Sequence, residues 1–197
     1  MIYETPPLSR YIMAVATNKG THPLEHEYTV WFGWKNKNND FKTAMDKIGT
    51  FKSVEGFWEI YSWMKRPHDL KPCDISIFRS DIQPFWEDEA NKNGGTWIVR
   101  IKRNYVSRTW EHMVLAMLGE QFMVGPEICG ARLSVRHNEA ILSLWNKNAQ
   151  DQKTCYRIRD TLKRVLQLPD FIKLEYKAHA ESMRDRSSYQ YTHVIND

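Results

Sequence analysis

Residues 84–97 read PFWEDEANKNGGTW. Trp86 stands directly before Glu87, Asp88 and Glu89, and the stretch then runs through polar residues into a glycine pair. DISIFRS (74–80) reads as a short strand, and TWIVRIKR (96–103) sets Trp97, Val99 and Ile101 against Ile98, Arg100 and Lys102. A period of two is the signature of a strand with one buried face. The segment between is then a loop with a polar Gly-Gly turn, carrying a tryptophan and an acid at the mouth of a sheet.

Working outward, the same two periods organise the chain. EYTVWFGWK (27–35) alternates as a strand, and NKNNDF (36–41) is a loop. Ser53 can cap a helix through about Met64, with Val54, Trp58 and Tyr61 at i, i+4 and i+7. Phe57, Ile60 and Met64 form a second apolar row, more apolar surface than one core contact needs. RPHDLKP (66–72) breaks that helix. Ser107 can start a second helix, where Trp110, Val114, Met117, Leu118 and Phe122 recur at helical spacing. Residues 125–136 and 139–147 read as a hairpin joined by His137 and Asn138. Asp151 can cap a third helix that buries Ile158, Leu162, Val165 and Leu166, and 171–179 is a last strand. Residues 1–21 show no sustained period and read as a flexible arm; residues 181–197 read as a polar C-terminal loop and tail. The folded part, 22–180, is expected to be an α+β domain, an antiparallel sheet with three helices on one face and the other face open.

Composition narrows the partners. The net charge of +4 permits an acidic or phosphorylated partner without the strong basic bias of a duplex-DNA binder. Cys73, Cys129 and Cys155 are widely spaced and form no CxxC pair, which argues against a zinc framework or a disulfide scaffold and for a reducing compartment, cytosolic or nuclear. The N-terminal residues lack the apolar run of a signal peptide, and no stretch approaches the ~18–20 apolar residues of a membrane span. Eight tryptophans are more than packing alone requires, so some rings are candidates for ligand contact.

A nucleobase stacks on an aromatic ring for ~1–3 kcal/mol, and a positive charge on the base adds a cation–π attraction. A carboxylate in the plane of the base can accept two N–H donors from the Watson–Crick edge of guanine. Arginines take phosphates by forked hydrogen bonds. Trp86 with Glu87, a second ring and two arginines on neighbouring strands would suit a cationic guanine nucleotide such as 7-methylguanosine triphosphate, the mRNA cap. The plain alternative is a packed tryptophan beside a solvated acid.

HPLEHEYTVWF (22–32), IGTFKSVEGFWEIY (48–61), PFWEDEANKNGGTW (84–97), LGEQF (118–122), ICGARLSVR (128–136) and the Trp145 strand occur in an order that resembles the eukaryotic translation initiation factor 4E family. The resemblance spans about His22 to His179. AMLGEQFMVGPEICGA and IRDTLKRVLQLP are closer to the 4E-homologous protein subclass, which is associated with cap binding and repression of translation. It implies a curved antiparallel sheet cupping the cap on its concave side, with three helices on the convex back. By that resemblance Trp86 stacks on the base, Glu87 reads guanine and Trp145 lies near the N7-methyl group, while Arg136 and Arg100 hold phosphate. The second stacking position falls at Phe41, where the initiation factor has tryptophan and the subclass tyrosine; a smaller ring implies weaker affinity. Two lysines of the initiation factor are replaced by Asn138 and Ile141.

The over-apolar helix also finds a reading in the resemblance. Val54 and Trp58, bordered by His22 and Pro23 and with Leu115 as a floor, match the dorsal surface on which family partners lay a helix carrying a tyrosine and a leucine. The expectation is a monomeric, non-enzymatic cap-binding adaptor without cofactor or membrane attachment. It would be a regulator or repressor of translation, or else an initiation factor that recruits the initiation scaffold. His22 and His26 have metal-pair spacing but no third ligand. Glu87, Asp88 and Glu89 could be a nucleotide hydrolase's paired acids, but neighbours on an extended segment point opposite ways.

Overall fold

Successive residues of a strand point to opposite faces of its sheet, and the computed structural model, which describes residues 21–34, 45–169 and 171–194, places the strands accordingly. Among these residues the order is β1 (Pro23–Trp34), β2 (Asp46–Ser53), α1 (Val54–Tyr61), β3 (Cys73–Arg79), β4 (Gly95–Lys102), α2 (Val106–Leu118), β5 (Ile128–Val135), β6 (Glu139–Asn146), α3 (Gln152–Leu166), β7 (Leu174–Ala178), α4 (His179–Asp185) and β8 (His193–Val194). The strands form one sheet in the order β2-β1-β3-β5-β6-β4-β7-β8, and every neighbouring pair is antiparallel. Register shifts in β1 and at Ile128/Gly130 of β5 mark bulges, which bend and twist a strand and so curve the sheet.

The two faces hold different chemistry. Cys73, Ile75 and Ile77 of β3, Ala131, Leu133 and Val135 of β5, and Trp97 and Val99 of β4 enter the main core. There they meet Phe57 and Tyr61 of α1, Trp110, Met113 and Val114 of α2, and Ile158 and Leu162 of α3. The alternate positions, Asp74, Ser76 and Phe78, Arg132 and Ser134, Ser143 and Trp145, and Lys177, line the opposite concave face and are all buried. On that face a separate small cluster joins Phe78, Ile82, Cys129 and Trp145, with Trp86 and Ala90 packed against it.

Both anticipated caps form. Ser53 accepts from the Gly56 amide at 3.0 Å and Asp151 from the Thr154 amide at 3.1 Å. The second helix starts differently: Tyr105 is its N-cap, and the Ser107 hydroxyl turns instead to the His68 ring at 2.7 Å. Phe122 falls beyond the end of α2 at Leu118 yet is buried. The strand β2 has no clear period in the sequence, because Gly49 interrupts it and only Phe51 is fully buried on this lysine-flanked edge. The segment after β7, read as polar tail, carries α4 and β8, so a fourth helix joins the three expected. Residues 1–20, within the anticipated arm, and Phe41 lie outside the described residues.

Candidate functional site

The loop between β3 and β4 is built by its own polar side chains. Asp88 accepts from the Gln83 and Ala90 amides, both at 3.0 Å, and Asn91, fully buried, donates to the Gln83 and Phe85 carbonyls, both at 2.8 Å. The His179 ring closes on the Asn91 carbonyl at 2.7 Å, and the His179 amide reaches the Gly94 carbonyl at 2.9 Å. A carbonyl can only accept, so His179 donates from Nδ1 and Nε2 carries the lone pair. Burial holds the ring neutral, with its pKa lowered to about 4.

The glycine pair is a close approach rather than only a turn. A Cβ on Gly94 would stand 1.9 Å from the Asn146 carbonyl oxygen, and one on Gly95 would stand 2.3 Å from the Tyr176 hydroxyl. The loop therefore lies directly against β6 and β7.

These ties fix what the loop presents. Trp86 is half-buried against the Trp145 cluster, and Glu87 is exposed beside it. Of the three consecutive acids, Glu87 is exposed, Asp88 staples the loop and Glu89 pairs with Lys92. They do not converge as a catalytic pair.

Trp145 is only 2% exposed. The Phe78 ring meets it edge-on at 5.2 Å, His179 lies against it at 4.2 Å, and the Arg132 guanidinium sits 4.7 Å from its centroid. Arg132 also donates to the Ser76 hydroxyl at 3.1 Å and to the Pro84 carbonyl at the start of the loop. Desolvation lowers its pKa, the expected direction for a buried cation.

The two arginines expected to hold phosphate share this concave face, but each is engaged. Arg136 donates to the Asp74 carboxylate at 2.9 Å and to the Cys73 and Val135 carbonyls. Arg100 is half-buried and pairs with Glu175 at 3.2 Å and, more loosely, with Glu139 at 3.8 Å. Its Nη2 donates to the Tyr189 carbonyl at 2.7 Å.

On the convex side the start of α1 gathers three of the expected partner-site residues. The Val54 amide donates to the His22 carbonyl at 2.9 Å, and Pro23 lies opposite Ser53 in the ladder. Glu55 accepts from the His22 amide at 2.9 Å and lies 2.7 Å from its ring, contacts that lower the Glu55 pKa to about 2. One turn on, Trp58 is 38% exposed although Phe57 beside it is buried. Leu115 stands exposed on the separate helix α2.

Cys73, Cys129 and Cys155 are free and buried, and burial pushes the Cys73 and Cys129 thiols up to about 12. Among the described residues no three His, Cys, Asp or Glu side chains gather as a metal site, and no helix is long and apolar enough to cross a membrane. The sequence reading did not single out Asp74, Asn91, Arg132, His179 or Tyr189. For Arg132 a signal existed: it lies out of phase with Ala131, Leu133 and Val135 on a central strand, so it faces the second, buried side.

Comparison with known proteins agrees with this architecture. Residues 23–194 match the model of the eukaryotic initiation factor 4E family. The chain is 44% identical over 176 residues to eukaryotic translation initiation factor 4E-4 of Caenorhabditis elegans, covering 87% of this chain and 83% of that one. It is 41% identical to eukaryotic translation initiation factor NCBP of Oryza sativa subsp. japonica, covering 88% and 78%. Among solved structures, C. elegans eIF4E-3 in complex with the 4E-binding protein Mextli and a cap analog superposes with a TM-score of 0.80 at 31% identity, covering 83% of this chain and 96% of that one. Ascaris suum eIF4E-3 with an m2,2,7G cap gives a TM-score of 0.77 at 30% identity, covering 81% and 92%. The chain belongs to the eukaryotic initiation factor 4E family.

Proposed function

We propose that the chain binds the 7-methylguanosine cap of mRNA on the concave face of its sheet. On the dorsal side it recruits proteins that carry a tyrosine-and-leucine helix, and it acts as a non-enzymatic regulator of translation of the 4E-homologous type. The observation that carries this reading is the meeting of the Trp86 loop with Trp145 on the same face as Arg100 and Arg136. Trp86 and Phe41 sandwich the base, Glu87 accepts from the guanine edge, and Trp145 contacts the N7-methyl group. Arg100 and Arg136 meet the phosphates. The cap-bound solved relatives support it. Val54 and Trp58, flanked by His22 and Pro23 and joined by Leu115, offer an apolar surface to a partner helix. The second reading, an initiation factor that recruits the initiation scaffold, is favoured by the names of the relatives. Partner capture compared between wild type and Trp58→Ala separates the two by which protein is lost.

Tryptophan fluorescence during titration with 7-methyl-GTP tests the cap reading, with GTP as control and Glu87→Ala as the variant. Quenching by the methylated nucleotide alone, lost in the variant, supports it; equal weak responses to both nucleotides sink it. A third arm with the N2-dimethylated analogue reports on Glu87 directly, because that base has no N–H left on its 2-amino nitrogen.

A further inference from the structure

We infer that residues 185–194 form a strap across the concave face, centred on Tyr189, which must release Arg100 before an anionic ligand can bind there. The inference rests on the cap-phosphate role proposed for Arg100 and Arg136 and adds a regulator to that site.

The strap is anchored at two ends. At one end Lys177, fully buried on β7, donates to the Asp185 carboxylate and to the Ser187 and Gln190 carbonyls. The Ser187 hydroxyl accepts from the Tyr189 and Gln190 amides at 3.3 and 3.1 Å, which turns the chain sharply. At the other end His193 and Val194 pair with Tyr176 and Glu175 of β7, and the Thr192 hydroxyl donates to Glu175.

Between the anchors, Tyr189 is coupled to both arginines. Its carbonyl accepts from Arg100 Nη2 at 2.7 Å, and its ring centre lies 6.0 Å from that guanidinium. Its hydroxyl lies 2.7 Å from Ser134 Oγ. Ser134 has one hydroxyl proton and gives it to Asp74, so Tyr189 is the donor in this pair. Asp74 in turn holds Arg136 at 2.9 Å. One continuous network therefore runs from Arg100 through Tyr189, Ser134 and Asp74 to Arg136.

The bonds at the centre of this strap are of the kind that phosphate displaces. A carbonyl is a neutral single acceptor, whereas a phosphate offers charged oxygens in a fork that matches guanidinium. Arg186, Gln190, Tyr191, His193 and Val194 are exposed, so little apolar burial opposes release of the segment. Glu175, on the strand beside Arg100, remains to aim the guanidinium when the strap leaves. A ligand that binds only the released state has its apparent affinity reduced by the released fraction.

The test uses the full chain, with Tyr189→Ala and Tyr189→Phe variants and two probes, 7-methyl-GTP and inorganic tripolyphosphate. Hydrogen exchange over 186–194 is expected to speed up when either probe saturates the wild type. Tyr189→Ala should raise affinity for 7-methyl-GTP by about 5–10-fold, the gain if about a tenth to a fifth of wild-type molecules are released at any moment. Tyr189→Phe, which loses only the bond to Ser134, should show a smaller gain. Slower exchange on binding, or weaker binding by Tyr189→Ala, overturns the inference and makes the strap a part of the bound site. If 7-methyl-GTP quenches neither wild type nor Tyr189→Ala, the cap reading fails on its own. Tripolyphosphate then decides the strap: faster exchange supports it, and unchanged exchange overturns it.

Discussion

The guanidinium of Arg132 lies 4.7 Å from the centre of the Trp145 ring while donating to the carbonyl of Pro84. One buried cation thus ties the floor of the concave face to the Trp86 loop at Pro84. Its charge and its fork of donors are both in use.

Replacing Arg132 by methionine keeps much of the volume but leaves the Pro84 carbonyl without this donor. Loss of a buried hydrogen-bond partner costs about 2 kcal/mol, so urea unfolding should show a loss of that order. Lysine keeps the charge but not the fork, and should restore only part of it. Intrinsic tryptophan emission should shift in both variants, since Trp145 loses the guanidinium beside its ring. Unchanged stability and emission in Arg132→Met would remove Arg132 as the tie.

Gly94 is the second constraint on the loop. In Gly94→Ala the new Cβ meets a main-chain oxygen at 1.9 Å, which no side-chain rotation relieves. Overpacking of this kind costs about 1–3 kcal/mol, and the loop that carries Trp86 and Glu87 has to shift. Thermal unfolding should fall accordingly, and 7-methyl-GTP binding should weaken further than Gly119→Ala weakens it. An unaltered melting temperature would mean that the loop does not rest on β6.

His179 makes stability depend on pH. Folded, it stays neutral down to about 4, while an ordinary imidazole protonates near 6.5. Between those values the unfolded chain takes up a proton that the folded chain does not. The contribution is therefore complete above 6.5, declines as pH falls through the window, and is level below about 4. The total is on the order of 3 kcal/mol. Urea melts at pH 7 and pH 5 should differ more for wild type than for His179→Asn, in which the amide can still donate to the Asn91 carbonyl. Equal differences would show that His179 does not govern this slope.

Substitution of Trp58 tests partner binding apart from folding. Its ring meets Phe57 and Tyr61 at 4.9 and 5.7 Å but stays 38% exposed. Trp58→Ala should weaken capture of a peptide helix carrying the tyrosine-and-leucine motif by at least about 2 kcal/mol, roughly 30-fold. Binding of 7-methyl-GTP should be unchanged. Isothermal titration with both ligands distinguishes this from general unfolding, which would lower both affinities together.

What the sequence by itself determined is periodic and local. Alternation in TWIVRIKR set a strand and the side that enters the core, though the opposite side, expected to be open, is largely buried as well, and Ser53 and Asp151 set helix starts through single capping oxygens. The motif order also carried the family. Tertiary structure alone decided everything that depends on pairs far apart in the chain. His179 reads as the end of a strand until it closes on the Asn91 carbonyl 88 residues away. The glycine pair reads as a turn until Asn146 and Tyr176 arrive beside it. The polar tail shows why: Lys177 and Tyr189 make their bonds to polar groups, which leave no hydrophobic period in a sequence. Only the folded sheet brings Arg100 and Ser134 within reach of the same tyrosine.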